Sequence, residues 1–280
     1  MNAIIECTDF RGLPALRLTE PSGGSAVITD FGAQVVSWMP EPGDERLYLS
    51  EAAVFDGSLP IRGGIPVIFP QFGTLGTGRR HGFARTANWG RTANRAEPEF
   101  AMASWHLSHA SPSLDWPHPF SLEITVSLCR NRLDVELFVV NEGSGAMSFT
   151  TALHTYLQVD DVQTCSLIGL EGCRYVDQTT ANTMLTDTDS ELRIGAEVDR
   201  IYLKTPEALE LRTPGKTLQI GQRSFPDTVV WNPWVERCRG FTDMPEKGFL
   251  RMLCVEAAAT TPVQLDSLGE WSARQSLMIP

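Results

Sequence analysis

The sequence predicts an all-β protein, either a sandwich or a barrel. Apolar and polar residues alternate with a period of two along much of the chain, which is typical of strands with one buried face. The clearest case is residues 122–140, where two alternating runs flank Arg130, Asn131 and Arg132 and predict an antiparallel hairpin. Strands that alternate with helices of roughly ten residues, the pattern of a parallel α/β sheet, do not occur.

Further strand candidates follow in order along the chain. They lie at 25–38, 46–49, 100–108, 148–159, 200–203, 208–212, 216–220, 228–231 and 249–257. Helical pattern is limited to short stretches such as 51–55. Because no linker or shift in composition divides these strands, we expect a single domain over residues 1–280.

The charge balance limits the partners. With 23 Lys plus Arg against 34 Asp plus Glu, the net charge of −11 repels nucleic acid and anionic membranes. The N-terminus has no signal-peptide pattern, and no apolar run approaches the roughly 18 residues that cross a bilayer. We therefore expect a cytoplasmic protein with a small-molecule ligand, while the oligomeric state stays open and includes the monomer.

The cysteines and motifs argue against cofactors. The six cysteines are dispersed without a C-x-x-C pair, mostly in apolar strand-like segments, so buried reduced thiols are favoured over disulfides or a structural zinc site. No P-loop, G-x-G-x-x-G or G-x-S-x-G motif occurs, so nucleotide, dinucleotide and serine-hydrolase chemistry have no support. We expect neither a metal nor a cofactor.

The sequence RGGIPVIFPQF at residues 62–72 predicts a rigid loop that presents Arg62. The paired glycines permit a close backbone approach or a positive φ, and the prolines fix the path of the chain. A structural turn with a solvated arginine is an equally open interpretation.

Residues 79–85 gather three arginines and a histidine in an otherwise acidic protein. In an extended segment Arg79, His81 and Arg85 share one face, while Arg80 lies on the other. All four could contact one ligand only if the glycine within this segment bends the chain. The alternative is a solvated basic loop.

Two titratable residues lie in strand-like runs. His154 faces the same way as Tyr156, and its titration near neutrality suits a general acid. Glu256 is set among small and apolar residues, where desolvation would raise its pKa toward neutrality and suit a general base. A structural histidine and a salt-bridged glutamate are the alternatives. Asp199 could accept hydrogen bonds from hydroxyl groups or simply begin a strand, and Trp231 could be a ligand platform or a core residue.

Six segments occur in an order that resembles one family. They are RGGIPVIFP (62–70), HGFAR (81–85), LHTY (153–156), DRIY (199–202), VWNP (230–233) and CVEAA (254–258). Together they resemble the hexose-6-phosphate mutarotases, or glucose-6-phosphate 1-epimerases, of the galactose-mutarotase-like superfamily. The resemblance spans nearly the whole chain and implies a largely antiparallel β-supersandwich.

The same resemblance implies roles for these residues. His154 and Glu256 correspond to the catalytic pair, Arg62 and Arg85 to arginines that hold the substrate and its phosphate, and Asp199 to a ligand of a sugar hydroxyl. In the implied reaction, Glu256 removes the proton of the anomeric hydroxyl while His154 protonates the ring oxygen, and the opened sugar recloses as the other anomer. We expect the two groups to face each other across a cleft, with room for a pyranose ring between them.

One position departs from the family pattern, because Arg80 stands where a glutamine typically precedes the His-Gly-Phe-Ala-Arg motif. We include Arg80 and His81 among the substrate-binding candidates and leave the preferred sugar phosphate open. A non-catalytic sugar-binding protein and a mutarotase of unphosphorylated aldoses are the alternatives. The presence of both His154 and Glu256 argues against the first, and the arginines argue against the second.

Overall fold

The computed structural model describes residues 2–109 and 116–280, and strands dominate both parts. Within these residues one α-helix occurs, Trp234–Cys238 (α1). Single 3-10 turns lie at Ala84–Thr86, Val162–Thr164 and Gly248–Arg251. In this part of the chain no helix has the length and apolar character that crossing a membrane requires.

The strands have the following bounds. The first eleven are β1 (Ile4–Phe10), β2 (Leu13–Thr19), β3 (Ser25–Thr29), β4 (Gln34–Met39), β5 (Val67–Ile68), β6 (Gly90–Ala96), β7 (Phe100–His109), β8 (Phe120–Cys129), β9 (Arg132–Asn141), β10 (Met147–Leu153) and β11 (Tyr156–Gln158). The others are β12 (Ser166–Ile168), β13 (Arg174–Asp177), β14 (Thr183–Thr186), β15 (Glu191–Arg193), β16 (Val198–Leu203), β17 (Ala208–Thr213), β18 (Lys216–Arg223), β19 (Asp227–Asn232), β20 (Met252–Leu265) and β21 (Glu270–Met278).

Across the described residues these strands form three antiparallel sheets. The N-terminal sheet has the order β1-β2-β3-β4. The central sheet has the order β14-β13-β16-β19-β20-β10-β5, with β11 also paired to β20. The large sheet has the order β15-β12-β17-β18-β21-β9-β8-β7-β6. The predicted all-β, largely antiparallel sandwich is therefore confirmed.

The core lies between the inner faces of these sheets. In β8 and β9 every second residue is buried, as the period-two pattern predicts, and Ile124 pairs with Leu137 across the hairpin. Their buried side chains belong to the same apolar cluster as Phe149 and Val255 of the central sheet. Burial of these alternating side chains fixes the register of each strand and leaves the opposite face of the central sheet to carry polar groups.

Most predicted strands are present, but several boundaries differ. The candidate at 25–38 is two strands, because Gly32 (φ +77°) and Ala33 (φ +45°) turn the chain between them. The candidate at 46–49 forms isolated bridges through Leu47 and Leu49 instead of a strand. Residues 51–55 form a turn and irregular backbone, so the helical prediction there is wrong.

The candidate at 148–159 is interrupted at a position that matters for the cleft. The backbone N–H of His154 donates to Pro66 (3.0 Å), and that of Tyr156 donates to Gly64 (2.9 Å). These bonds continue the register in which β10 pairs with β5, so the pairing extends along the 62–72 loop although the strand itself is interrupted. This continued pairing anchors His154 to the loop that carries Arg62.

Close backbone contacts lock the 62–72 loop to its neighbours. Gly64 has φ +62°, and a Cβ there would lie 2.1 Å from the carbonyl oxygen of Val35. Gly82 has φ +66°, and its Cβ would lie 2.0 Å from the carbonyl oxygen of Phe69. His81 also has a positive φ, +63°, so the chain bends at residues 81 and 82. The bend that the 79–85 segment needs for residues of both its faces to reach one ligand is therefore present.

All six cysteines are free thiols. Cys165, Cys238 and Cys254 are buried, as the sequence predicts, whereas Cys7 is exposed. Cys7 lies in β1, at the edge of the N-terminal sheet, where the strand is mostly open to solvent.

The crowding around Gly82 predicts that a methyl group added there lowers stability more than one added at an uncrowded glycine. Gly172 has a similar φ, +79°, but nothing lies within 4 Å of the place that a methyl group would take there, so Gly172→Ala should lower the free energy of unfolding by about 1–2 kcal/mol from backbone strain alone. Gly82→Ala should cost about 1–3 kcal/mol more, because the Phe69 carbonyl must move. Urea unfolding of both variants checks this, and equal losses would contradict the close approach at Gly82.

Candidate active site

A cleft of about 160 Å³ lies where the central sheet meets the 62–72 and 79–85 segments. Its lining includes all of the site residues predicted from the sequence, Arg62, Arg80, His81, Arg85, His154, Asp199 and Glu256. It also includes Phe72, Gly73, Gln178, Val229, Trp231, Arg237 and Phe241. A buried water needs on the order of 10–15 Å³, so the cleft holds on the order of ten water molecules, about the number of non-hydrogen atoms in a pyranose.

At the floor of the cleft His154 and Glu256 are in contact. The Nδ1 atom of His154 lies 3.1 Å from Oε1 of Glu256. Both residues are buried, with exposed fractions of 7% and 1%. The contact does not have the direction of a hydrogen bond, and both His154 Nδ1 and Glu256 Oε2 lack a hydrogen-bond partner. Two buried polar groups without partners are costly, and this is the arrangement expected where a ligand supplies the missing bonds.

The expectation of a pyranose-wide gap between these two groups is wrong. The physical reason lies in the geometry of the sugar: the anomeric oxygen and the ring oxygen are bonded to the same carbon and lie closer together than a hydrogen bond is long. One acid and one base that serve these two oxygens can therefore be neighbours. A contact at 3.1 Å suits that task better than a wide gap.

The surroundings of Glu256 disfavour its ionised form. The residue lies in β20, opposite Val229 of β19 and next to small side chains such as Ala257 and Ala258. Burial, with a smaller contribution from Asp199, raises the pKa of Glu256 well above its ordinary value of 4.5. The direction agrees with the expectation from the sequence.

The imidazole of His154 is also held neutral. It stacks on Tyr156 with ring centroids 4.7 Å apart and an interplanar angle of 7°, and Trp231 meets it edge-on at 6.1 Å. Burial lowers the pKa of His154 well below 6.5, and nearby His81, Arg85 and Arg62 lower it further. Burial therefore favours the uncharged form of both groups, a protonated carboxyl at Glu256 and a neutral imidazole at His154.

One end of the cleft carries positive charge that is only partly neutralised. Arg62 donates to Asp243 (3.1 Å) and to the Tyr156 hydroxyl (3.1 Å). In the described parts of the chain neither Arg80 nor Arg85 forms an ion pair with a carboxylate. Arg85 donates to the Arg80 carbonyl, while its Nε is buried without a hydrogen-bond partner. A guanidinium in this state is ready for an oxyanion ligand.

Electrostatics at this end reflect burial and the closeness of several positive charges. Burial lowers the pKa of Arg85 to about 10, and Arg62 and Arg80 contribute to the decrease. Burial and the positive charges of Arg85, Arg80 and Arg62 lower the pKa of His81 to about 3. His81 Nδ1 accepts a hydrogen bond from the Gly73 N–H (3.3 Å), so its Nε2 carries the proton. His81 is therefore a neutral hydrogen-bond donor.

The opposite end of the cleft is built around Asp199 of β16. Its carboxylate accepts a hydrogen bond from Gln178 Nε2 (2.6 Å) and one from Arg237 Nη1 (3.1 Å), and Arg237 also pairs with Glu197 (2.7 Å). Burial raises the pKa of Asp199 despite these partners. Asp199 is thus positioned by Gln178 and Arg237, and these three residues together present donors and acceptors suited to hydroxyl groups.

Sequence reasoning missed Gln178 and Arg237. Gln178 follows β13 and Arg237 lies in α1, and neither belongs to a segment with a chemical pattern of its own. Trp231, left open as platform or core residue, is both: it is 8% exposed, lines the cleft and contacts His154.

Three buried donor atoms below the cleft lie close together. Suitable atoms of His154, Cys254 and Glu256 are within 4.8 Å of one another. Two of these three residues form the 3.1 Å contact at the floor of the cleft.

The chain is similar to known proteins in sequence. A family model described as "Aldose 1-epimerase" matches residues 14–277. A protein of Cenchrus ciliaris named "Putative glucose-6-phosphate 1-epimerase" is 33% identical over 280 residues, covering 95% of this chain and 84% of that protein.

Two solved structures extend the comparison. A structure described as a "putative mutarotase" from Salmonella typhimurium superposes with a TM-score of 0.89 at 26% identity, covering 99% of this chain and 93% of that one. A galactose mutarotase-like protein from Clostridium acetobutylicum, at 15% identity and a TM-score of 0.79, covers 100% of this chain and 99% of that chain. The second likeness concerns the fold and confirms a galactose-mutarotase-like architecture.

The contrast between the arginines predicts opposite effects on stability. Arg85→Met removes a buried guanidinium that has no counter-anion, and should raise the free energy of unfolding by roughly 1 kcal/mol. Arg62→Met makes the same change in size but leaves Asp243 and Tyr156 without their partner, and should lower it by about 1–3 kcal/mol. Urea unfolding of the two variants without ligand measures both changes in the free energy of unfolding. A loss of stability in Arg85→Met would contradict the inference that the charge of Arg85 is uncompensated.

The depressed pKa of His81 predicts a pH effect on stability. Between pH 6.5 and about 3 the unfolded chain binds a proton at this residue that the folded chain does not, so His81 lowers stability as the pH falls below 6.5. The His81→Asn variant tolerates a positive φ and lacks this titration. At each pH, the free energy of unfolding of His81→Asn is subtracted from that of the wild type. The difference should change by up to about 1.4 kcal/mol per pH unit between pH 6 and 4.5. Parallel curves would mean that His81 is charged in the folded protein.

Proposed function

Because the chain belongs to the aldose 1-epimerase family, we propose that it interconverts the α and β anomers of a hexose 6-phosphate, with glucose 6-phosphate as the first substrate to test. One observation carries the proposal. A buried acid–base pair forms the floor of a cleft, and two arginines that pair with no carboxylate among the described residues line the same cleft. In a protein with a net charge of −11, such arginines supply the local attraction that an anionic sugar needs.

The proposed reaction begins with the proton of the Glu256 carboxyl. When the two groups align, this proton passes to His154, 3.1 Å away, and yields a carboxylate and an imidazolium. The carboxylate then takes the proton of the anomeric hydroxyl while the imidazolium protonates the ring oxygen. The bond between C1 and the ring oxygen breaks, and an open-chain aldehyde forms. Rotation about the C1–C2 bond and reclosure with reversed proton transfers give the other anomer and restore the pair.

The two ends of the cleft orient the sugar in this proposal. Arg80, Arg85 and the Nε2–H of His81 bind the phosphate, and Arg62 supports this end while it holds Asp243 and Tyr156 in place. Asp199 and Arg237 bind ring hydroxyls. Trp231 and Tyr156 pack against His154 and restrict its ring, so that its acidic proton points to a fixed place. A phosphorylated metabolite as substrate also fits the cytoplasmic location expected from the sequence.

NMR exchange spectroscopy on the anomeric protons tests the proposal. The protein should accelerate α/β exchange of glucose 6-phosphate, and exchange of glucose much less. Glu256→Gln and His154→Gln should each lower the enzyme-dependent rate by on the order of 10² or more, because each removes one partner in proton transfer. His106→Gln, the same change at a histidine of β7 outside the cleft, should leave the rate unchanged.

Three results would count against the proposal in different ways. No acceleration with any aldose would favour a sugar-binding protein without catalysis. Equal acceleration of glucose and glucose 6-phosphate would favour a general aldose mutarotase. Full activity in both catalytic-pair variants, with unfolding curves like that of the wild type, would mean that other residues move the protons.

A further inference from the structure

An ion pair beside the cleft joins Arg62 to the segment that follows α1. Nε of Arg62 donates to Oδ2 of Asp243 (3.1 Å), and Nη2 lies 3.1 Å from the same oxygen. The two side chains are 22% and 18% exposed, so solvent weakens this pair less than it would a pair on the open surface. Phe241, from the same segment, lies with its ring centroid 4.7 Å from Cζ of Arg62. The segment therefore contacts Arg62 through both a charge and a ring.

Backbone bonds to Ser50 hold the two members of this pair together. Ser50 is fully buried, and its backbone N–H donates to the carbonyl oxygen of Arg62 (3.0 Å). Its Oγ donates to the backbone carbonyl of Asp243 (2.7 Å). One residue thus bonds to two main-chain positions that are 181 residues apart in the sequence. The fold itself, and not the ion pair alone, therefore places Asp243 next to Arg62.

From Arg62 the contacts continue to the general acid of the proposed reaction. Nη1 of Arg62 donates to the hydroxyl of Tyr156 (3.1 Å). The Tyr156 ring lies parallel to the imidazole of His154, with centroids 4.7 Å apart and an interplanar angle of 7°. Both rings are buried. A continuous chain of contacts thus begins at Asp243, outside the lining of the cleft, and ends at the catalytic pair.

We propose that Asp243 is a positioning residue for His154. Its carboxylate holds the guanidinium of Arg62, the guanidinium holds the hydroxyl of Tyr156, and the Tyr156 ring sets the plane of the imidazole. That plane decides where the acidic proton of His154 points, and hence whether it reaches the ring oxygen of the sugar. This inference rests on the proposed function.

The charges in the cleft explain why Arg62 needs such a partner. Arg62 lines the same cleft as Arg80 and Arg85, and like charges repel one another. Without the carboxylate of Asp243, this repulsion and the rotational freedom of a long side chain would move the guanidinium away from Tyr156. A misplacement of about 1 Å can cost on the order of 10²-fold in rate. A displacement passed on through two contacts is smaller, so we expect a loss of about 10-fold.

The exchange kinetics of Asp243→Ala provide the first test. NMR exchange rates over a series of glucose 6-phosphate concentrations give kcat and KM separately. The variant should lower kcat by about 10-fold, because a misplaced imidazole slows the chemical step. Asp243→Asn should recover most of this loss. Both bonds from Arg62 reach a single oxygen of Asp243, and the amide oxygen of asparagine can take its place.

A matched control separates positioning from a general loss of stability. Asp134 of β9 is 16% exposed, accepts from Arg132 (2.9 Å) and lies outside the lining of the cleft. Asp134→Ala thus removes an aspartate of similar burial that also pairs with an arginine, and should leave kcat unchanged. Rates are compared at a temperature at which thermal unfolding shows all variants to be folded.

A double-mutant cycle tests whether the effect passes through Tyr156. Tyr156→Phe keeps the stacked ring and removes the hydroxyl that Arg62 bonds. Because the link to His154 is already cut in this background, adding Asp243→Ala should lower kcat by less than about twofold further. If the two single losses instead multiply in the double variant, Asp243 acts by another route and the proposal is overturned.

The imidazole can also be observed without any substrate. The ring current of Tyr156 shifts the NMR resonances of the His154 ring protons, because the two rings are stacked. These resonances are identified by their loss in His154→Gln. Asp243→Ala should change their shifts in the free protein, whereas Asp134→Ala should not.

The outcomes separate this inference from the proposed function. If the wild type fails to accelerate exchange of glucose 6-phosphate, the proposed function itself is wrong, whatever the ring shifts show. If it does accelerate the exchange, a raised KM with an unchanged kcat in Asp243→Ala would overturn the positioning role and leave Asp243 as a support for substrate binding alone. Unchanged ring shifts of His154 in Asp243→Ala, or no recovery of kcat in Asp243→Asn, would also overturn it.

Discussion

The contact between His154 and Glu256, buried at the floor of the cleft, is the constraint on which the site depends. Out of water, the carboxyl keeps its proton and the imidazole stays neutral, because burial penalises both charged forms. The two groups lie 3.1 Å apart, so one proton can serve both once they align.

The fold places this pair on neighbouring segments of the central sheet. Beyond the end of β10, His154 still bonds to the 62–72 loop in the register of β5, while β20 continues past Glu256 between β19 and β10. Gly64 and Gly82 let backbone segments approach more closely than a methyl group would allow. The loops that carry Arg62 and Arg85 are thereby fixed against the sheet that carries the pair. Rigid backbone contact, more than side-chain packing, thus sets the distance between the arginine end and the catalytic groups.

Much of this could be predicted from the sequence, and the failures have physical causes. Period-two alternation identified the β8–β9 hairpin and placed His154 on the same face as Tyr156, where the two rings stack. The same reasoning missed β6, because all seven of its residues are exposed and it is held by backbone bonds to β7. The segments resembling a known family supplied the predicted site residues, but Gln178 and Arg237 have no pattern to mark them. The distance within the pair was predicted wrongly, since spacing along a chain carries no information on separation across a sheet.

The protonation state of the pair is the most direct test of this account. Ring ¹⁵N shifts of His154 and the side-chain carboxyl ¹³C shift of Glu256 can be followed in the free protein over a range of pH values. The account predicts that the imidazole stays neutral well below pH 6.5 and that the carboxyl keeps its proton well above pH 4.5. An imidazole that titrates at or above pH 6.5, or a carboxyl that titrates at or below pH 4.5, would contradict it.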